Sequence, residues 1–180
     1  MIFLTAGHHN NDSGAVGNGY KESELNKEIR DLTLTRIKQL SPRTKVWADN
    51  DNDTLSQVIE KVGKIATSKD IWVELHFDAS SSPAATGATA LVATNARAKS
   101  KELANDLVSI GSKVLGIRNR GVKTEIESNR GRLGMLHTAA SSALYEVAFI
   151  SNKDDVEAYQ DLKLWLSDEL ARVLIKYDGE

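Results

Sequence analysis

Asp70-Ile71-Trp72-Val73-Glu74-Leu75-His76-Phe77-Asp78 is the run that decides the fold. Its Ile, Trp, Val and Phe content is that of a central strand buried on both faces, as parallel sheets require. Successive side chains of a strand point to opposite faces, so Trp72, Glu74, His76 and Asp78 share one face while Val73, Leu75 and Phe77 take the other. His76 therefore lies on a polar face inside an apolar strand. An imidazole there costs roughly 1 to 3 kcal/mol unless it finds a partner, and a metal ion is one such partner.

Working outward, two more short apolar runs lead to residues able to bind a metal or move a proton. Ile2-Phe3-Leu4 runs into His8, and Ala143 to Ile150 carries Glu146. Between the first run, Met1 to Ala6, and the central strand, Glu22 to Leu40 reads as a helix, with Leu25, Ile29, Leu32, Ile37 and Leu40 at near-helical spacing. Ser41-Pro42 breaks it, Thr44 to Ala48 is strand-like, and the acidic, Asn-rich turn Asp49 to Asp53 leads to Thr54, an N-cap for a helix to about Thr67. Beyond the central strand come a Ser-rich loop, Ala79 to Ser82 with Pro83, and a β-like run from Thr86 to Thr94. Arg97 to Leu115 follows as a helix with Leu103, Leu107, Ile110 and Val114 on one face. Gly116 to Gly134 holds four arginines and four glycines and is expected to be a long surface loop that faces substrate, because structureless loops of that length are uncommon without a function. Asp155 to Tyr177 closes the chain as one or two helices.

Strands alternating with helices predict one α/β domain over residues 1–180, with a mainly parallel twisted sheet and helices on both faces. In such sheets the ligand crevice lies beyond the carboxyl ends of the strands, where groups from distant parts of the sequence converge. His8, His76 and Glu146 all map to such ends.

Composition narrows the chemistry. A chain of 180 residues with 23 basic and 25 acidic side chains has no global field that would draw it to nucleic acid, and no nucleic-acid partner is expected. Cysteine is absent, which removes disulfides, thiolate ligands and a cysteine nucleophile together, so metal ligands must be His, Asp or Glu. Met1 runs directly into a strand-like segment with no basic stretch, apolar core or small-residue cleavage site, so no secretory signal is expected. No stretch reaches the apolar length of a membrane span, and a monomer without membrane insertion is expected.

His8 sits in Ala6-Gly7-His8-His9-Asn10, where Gly7 permits a sharp turn that would present the ring to the crevice; the alternative is a solvated loop histidine. Glu74 could orient a ligand histidine from behind, or be an ordinary hydrogen-bonded strand carboxylate. Glu22 and Glu24 both fall in the first helical turn, where the dipole favours acids in any case, and periodicity does not choose between them. Glu146, among Leu144, Tyr145, Val147, Ala148 and Phe149, needs a charge partner, a proton or a metal; a catalytic base and a neutral core glutamate both answer that need. The chain has neither a Gly-x-Ser-x-Gly elbow nor a phosphate-binding loop. Three protein ligands of His and Glu type plus an open water position is the arrangement of catalytic zinc, and a further glutamate can take the proton from bound water.

At these residues the sequence resembles the third type of zinc-dependent N-acetylmuramoyl-L-alanine amidases, which strip stem peptides from peptidoglycan. Five ordered blocks carry the resemblance over nearly the whole chain. They are Ala6-Gly7-His8 with Asp12-Ser13-Gly14-Ala15 and Gly17; Glu22-Ser23-Glu24-Leu25-Asn26; Asp70 to Ala79; Asn119-Arg120-Gly121-Val122-Lys123 with Leu133-Gly134-Met135-Leu136; and Glu146-Val147-Ala148-Phe149-Ile150-Ser151-Asn152. The resemblance implies a zinc amidase/carboxypeptidase-like fold, His8, Glu22 and His76 as zinc ligands, and Glu146 as the catalytic carboxylate. It implies peptidoglycan or muropeptides as partner and the bacterial cell wall as the place of action, reached from the cytoplasm on phage or mother-cell lysis or by a catalytic domain trimmed from a longer protein.

The sequence departs from the family at His9 and Asn10, where glycines are usual, at Glu74 and Asp78, where Ser and Asn are usual, and at His137, where Arg is frequent. His9, Asn10 and His137 are thus candidate substrate contacts. Arg118, Arg120, Arg130 and Arg132 are candidates for holding stem-peptide carboxylates, against the default of solvated loop charge. The competing functions are a zinc amidase or carboxypeptidase acting on another peptide link, and a wall-binding module without catalysis.

Overall fold

In the computed structural model, which describes residues 1–128 and 130–178, the run quoted above forms the central strand β5 (Ile71–Asp78). It lies between β1 (Ile2–Ala6) and β8 (Ser141–Phe149), parallel to both. The sheet extends beyond β1 to the short β4 (Val46–Trp47), and beyond β8 to β6 (Ala88–Val92) and β7 (Asn119–Thr124), giving the order β4-β1-β5-β8-β6-β7. Within this sheet, among the described residues, only the β6–β8 pair is antiparallel. The expected mainly parallel sheet is what forms. One correction concerns Gly116 to Gly134, expected as a loop throughout: Asn119 to Thr124 pairs with β6 as the edge strand β7, and Gly134–His137 makes a turn of 3-10 helix. The edge strand was hidden because its residues are polar and only partly covered, so it carries no apolar alternation.

The alternation read from β5 sorts the core into two layers. Val73, Leu75 and Phe77 join a large cluster under α1 (Glu22–Leu40), α3 (Ala98–Leu115) and α4 (Lys153–Asp178), which is one helix rather than two. Trp72 belongs to a smaller cluster on the opposite face, with Phe3, Leu144, Met135 and Leu136, covered by Val58 and Val62 of α2 (Leu55–Ile65). Thr54 starts α2 with the expected cap, reinforced by a capping box with Gln57. Glu74 and His76 continue the Trp72 face toward the carboxyl end of β5, past the point where the smaller apolar layer ends. A small antiparallel hairpin, β2 (Val16–Gly17) and β3 (Tyr20–Lys21), leads the chain into α1.

Candidate metal centre

Three segments bring their polar residues together at the carboxyl ends of β1 and β5. The turn after β1 delivers His8, whose φ of 66° is left-handed and unusual for a residue with a side chain. That conformation persists because the turn is tied on both sides: the Ala6 N–H donates to Asp49 Oδ1 and the Asn10 N–H to the Asp51 carbonyl. Asp49 and Asp51 are in turn held by the buried guanidinium of Arg30. The first residue of α1 delivers Glu22, and Ala15, just before the hairpin, fixes it by donating its N–H to Glu22 Oε2 at 3.0 Å. β5 delivers His76.

Glu22 bridges the two histidines. His8 Nε2 lies 3.0 Å from Glu22 Oε2, and His76 Nδ1 lies 2.9 Å from Glu22 Oε1. The rings stand edge-on, with centroids 5.3 Å apart. Each ring's other nitrogen meets a further carboxylate, Asp12 Oδ2 at 2.8 Å from His8 Nδ1 and Glu74 Oε1 at 3.1 Å from His76 Nε2. Carboxylates behind both rings leave His8 Nε2, His76 Nδ1 and the Glu22 carboxylate converging on one point, the pattern in which outer acids orient metal-binding histidines. Ligand atoms of His8, Glu22 and His76 all lie within 4.8 Å of one another, and this group could hold a metal ion.

Two glycines make the convergence possible. A Cβ on Gly7 would stand 2.1 Å from His76 Cε1, and one on Gly14 would meet the His8 ring at 2.5 Å and Glu22 at 2.7 Å. Electrostatics also fit a cation. Hydrogen bonds to Glu22 and Asp12 outweigh burial and raise His8, and although burial opposes it, Glu22 and Glu74 carry His76 up to about 10. Glu22, despite burial, is held by the two histidines well below the carboxylate range. Asp12, Glu22 and Glu74 thus surround the two rings with carboxylates that favour positive charge at this point.

Glu146 stands directly across from His76 in the β5–β8 register. After that pair β8 gains a residue relative to β5, so Phe149 rather than Ala148 comes opposite Asp78. The Glu146 side chain is 2% exposed, and neither carboxylate oxygen has a hydrogen bond among the described residues. Burial raises it to about 7, with His76 and Arg130 pulling the other way. Arg130 approaches Oε1 to 2.7 Å as an ion contact, without the alignment of a hydrogen bond. Glu146 is thus a buried carboxylate with unfilled acceptors beside the histidine-carboxylate cluster, an arrangement that packing alone does not call for.

Comparison with known proteins places the chain in a family. The sequence profile of the family described as N-acetylmuramoyl-L-alanine amidase matches residues 2–171. The chain belongs to that amidase family. The N-acetylmuramoyl-L-alanine amidase LytC of Bacillus subtilis (strain 168) is 34% identical over 156 residues, 86% of this chain and 30% of LytC. The endolysin of Bacillus phage SPP1 is 27% identical over 164 residues, covering 86% of this chain and 56% of the endolysin. This chain therefore spans less than two-thirds of either relative. The catalytic domain of CwlV, an N-acetylmuramoyl-L-alanine amidase from Bacillus (Paenibacillus) polymyxa var. colistinus, superposes with a TM-score of 0.80 at 24% identity over 98% of this chain and 96% of that one, a likeness of fold.

Within this amidase-family fold, the remaining candidates scatter. Glu24 is exposed and pairs with Lys21, so the choice left open by periodicity falls to Glu22. His9 borders the His8 turn and accepts the Asn11 N–H at Nδ1. Asn10 is engaged by Asn52 and Lys27 outside the cluster. His137 pairs with Glu125 at 2.8 Å. The Glu125 N–H donates to Val92, one residue past the Leu91–Leu144 pair, so that couple sits toward the opposite end of β8 from the cluster. Arg118 and Arg132 are exposed, and Arg120 donates to the Thr86 carbonyl and lies over the Phe149 ring. Of the four arginines, only Arg130 reaches the acidic centre among the described residues. Two contributors went unread in the sequence: Asp12 as the partner of His8, signalled only by a carboxylate in the turn-forming run that follows it, and Glu125, for which a polar segment gives no signal. Among the described residues no helix is long and apolar enough to cross a membrane.

Proposed function

We propose that this chain is the catalytic domain of a peptidoglycan hydrolase, residues 1–180, cutting the amide between the lactyl group of N-acetylmuramic acid and L-alanine. His8, Glu22 and His76 would hold a zinc ion, and Glu146 would move the proton. The observation that carries the reading is a buried carboxylate without hydrogen bonds set across the sheet from a His-Glu-His group whose rings are each backed by an acid. Family membership, and relatives named as an N-acetylmuramoyl-L-alanine amidase and an endolysin, support peptidoglycan as substrate and the bacterial wall as the place of action.

Zinc in such a site supplies a bound water of lowered pKa and a positive charge for the developing oxyanion. The protein's own part is positional. Asp12 and Glu74 fix the tautomer and plane of each histidine, so that Nε2 of His8 and Nδ1 of His76 present lone pairs. Glu146, rigid in the middle of β8, accepts a proton at a carboxylate oxygen and returns it to the nitrogen of the departing L-alanine. Its raised pKa suits both halves of that task near neutral pH.

The test is release of free amine from purified sacculi, measured beside zinc content for the protein as purified, after chelation and after zinc is restored. Activity lost and regained with one zinc per chain is expected, and Glu146→Gln should keep its zinc while losing about 10²- to 10⁴-fold in rate. Bound zinc with no amine release from any sacculus would replace this reading with a wall-binding module, and full activity in Glu146→Gln would remove Glu146 from the chemistry.

A further inference from the structure

Glu125 closes the base of the loop that carries Arg130. Its buried carboxylate accepts the N–H of Leu133 at 2.7 Å and that of Thr94 at 3.3 Å, and it meets His137 Nε2 at 2.8 Å. Thr124 and Glu127 lock the turn that follows, through both the N–H and the hydroxyl of Thr124. The loop is thus anchored at its ends, while Ile126 beside the anchor is 65% exposed. From this frame Arg130 reaches Glu146 at 2.7 Å and Asp78 at 3.7 Å, with 38% of its own side chain exposed.

Two features mark that contact as provisional. The guanidinium meets Glu146 end-on, and no described residue accepts a hydrogen bond from the rest of its planar fork, although that fork is shaped for two-point binding of a carboxylate. The Glu146 oxygen facing Arg130 is also closed to another donor from that side, so a substrate amide can use it only once the guanidinium has moved. With 38% of its side chain exposed, Arg130 keeps access to solvent on the side away from Glu146. The ligand best able to draw Arg130 away is an anion presented in two-point geometry beside Glu146.

We infer that Arg130 is a specificity-determining residue that receives a free carboxylate of the stem peptide, and that binding of this carboxylate transfers the guanidinium from Glu146 to substrate. The inference rests on the amide-hydrolysis reading. The chemistry it selects is the α-carboxylate of the second peptide residue. An extended chain advances at most about 3.3 to 3.6 Å per residue, so that group lies roughly 7 Å from the scissile nitrogen, within the span of an arginine side chain already touching the proposed base. A stem in which this carboxylate is a carboxamide offers no charge and no two-oxygen acceptor.

The experiment uses two muramoyl peptides that differ only there, one with the free carboxylate and one with the carboxamide. Values of kcat and KM are measured for wild type, Arg130→Ala and Arg130→Lys, with zinc content confirmed equal. Wild type should prefer the free carboxylate by about tenfold or more in kcat/KM, mostly through KM. Arg130→Ala should bring the ratio of the two kcat/KM values to about one, and Arg130→Lys should leave an intermediate ratio. A wild-type ratio of one, or a ratio that Arg130→Ala leaves unchanged, overturns the inference while the hydrolase reading stands. Failure of wild type to cut either peptide overturns both.

Discussion

Gly7→Ala tests the metal centre through a single methyl group. The new Cβ would sit 2.1 Å from His76 Cε1, against the 3.4 Å of ordinary contact, so ring and backbone must part by about 1.3 Å. The backbone is held from both sides, the Gly7 N–H donating to the Leu75 carbonyl at 2.8 Å and the Gly7 carbonyl accepting from Asn26 Nδ2 at 3.0 Å. The ring is held by Glu22 and Glu74. Metal ligation tolerates roughly 0.2 Å of error in ligand position, several times less than the required shift, so His76 should drop out of the ligand set. A loss of at least about 100-fold in zinc affinity is expected, near 2.8 kcal/mol at 1.4 kcal/mol per tenfold, together with about 1 to 3 kcal/mol of overpacking in the metal-free fold. Competition against a chelator of known affinity reads the first quantity, and urea unfolding of the metal-free protein reads the second. Zinc affinity within threefold of wild type would refute the assignment of His76 as a ligand in this geometry.

Gly63→Ala is the matched control: its Cβ would meet nothing within 4 Å, and it lies inside α2, so unfolding in urea should show a gain of about 0.5 to 1 kcal/mol with zinc binding unchanged. Arg30→Met leaves Asp49 buried without its cation and loosens the brace on the His8 turn, so a loss of about 3 to 5 kcal/mol in metal-free stability is expected, and a loss under 1 kcal/mol would show that the brace is dispensable. Burial works against charge on Glu125, yet the Leu133 N–H and His137 hold its pKa below the usual carboxylate value. A group lowered in this way stabilises the fold above its unfolded pKa and loses that contribution as pH falls through the folded value. Glu125→Gln should therefore cost about 1 to 3 kcal/mol at pH 7, and its gap from wild type should narrow as pH falls below about 4; a gap that stays constant from pH 7 to 3 would argue against the charged pair.

The sheet was legible because its central strands are buried on both faces and so must be apolar along their length. β5 and β8 show this in sequence, and the polar interruptions His76 and Glu146 stand out against it. β7 was not legible, since an edge strand half-open to solvent needs no hydrophobic pattern and is held by backbone bonds that every residue can make. The β2–β3 hairpin escaped for the same reason, two residues a side being too short for any period.

Sequence by itself determined the α/β alternation, the polar face of the central strand and the residue types that can bind a metal, because burial and periodicity are properties of a single segment. Distance between segments decided the rest. Glu22 rather than Glu24 faces the histidines because the helix starts where the hairpin sets it, and Arg130 alone of four arginines meets the acidic centre because Glu125 clips its loop at the base. His137 lies toward the other end of β8 because the antiparallel β6 carries the following chain away from the cluster. Such choices rest on contacts between residues far apart in the chain, which no local pattern records and only the packed sheet fixes.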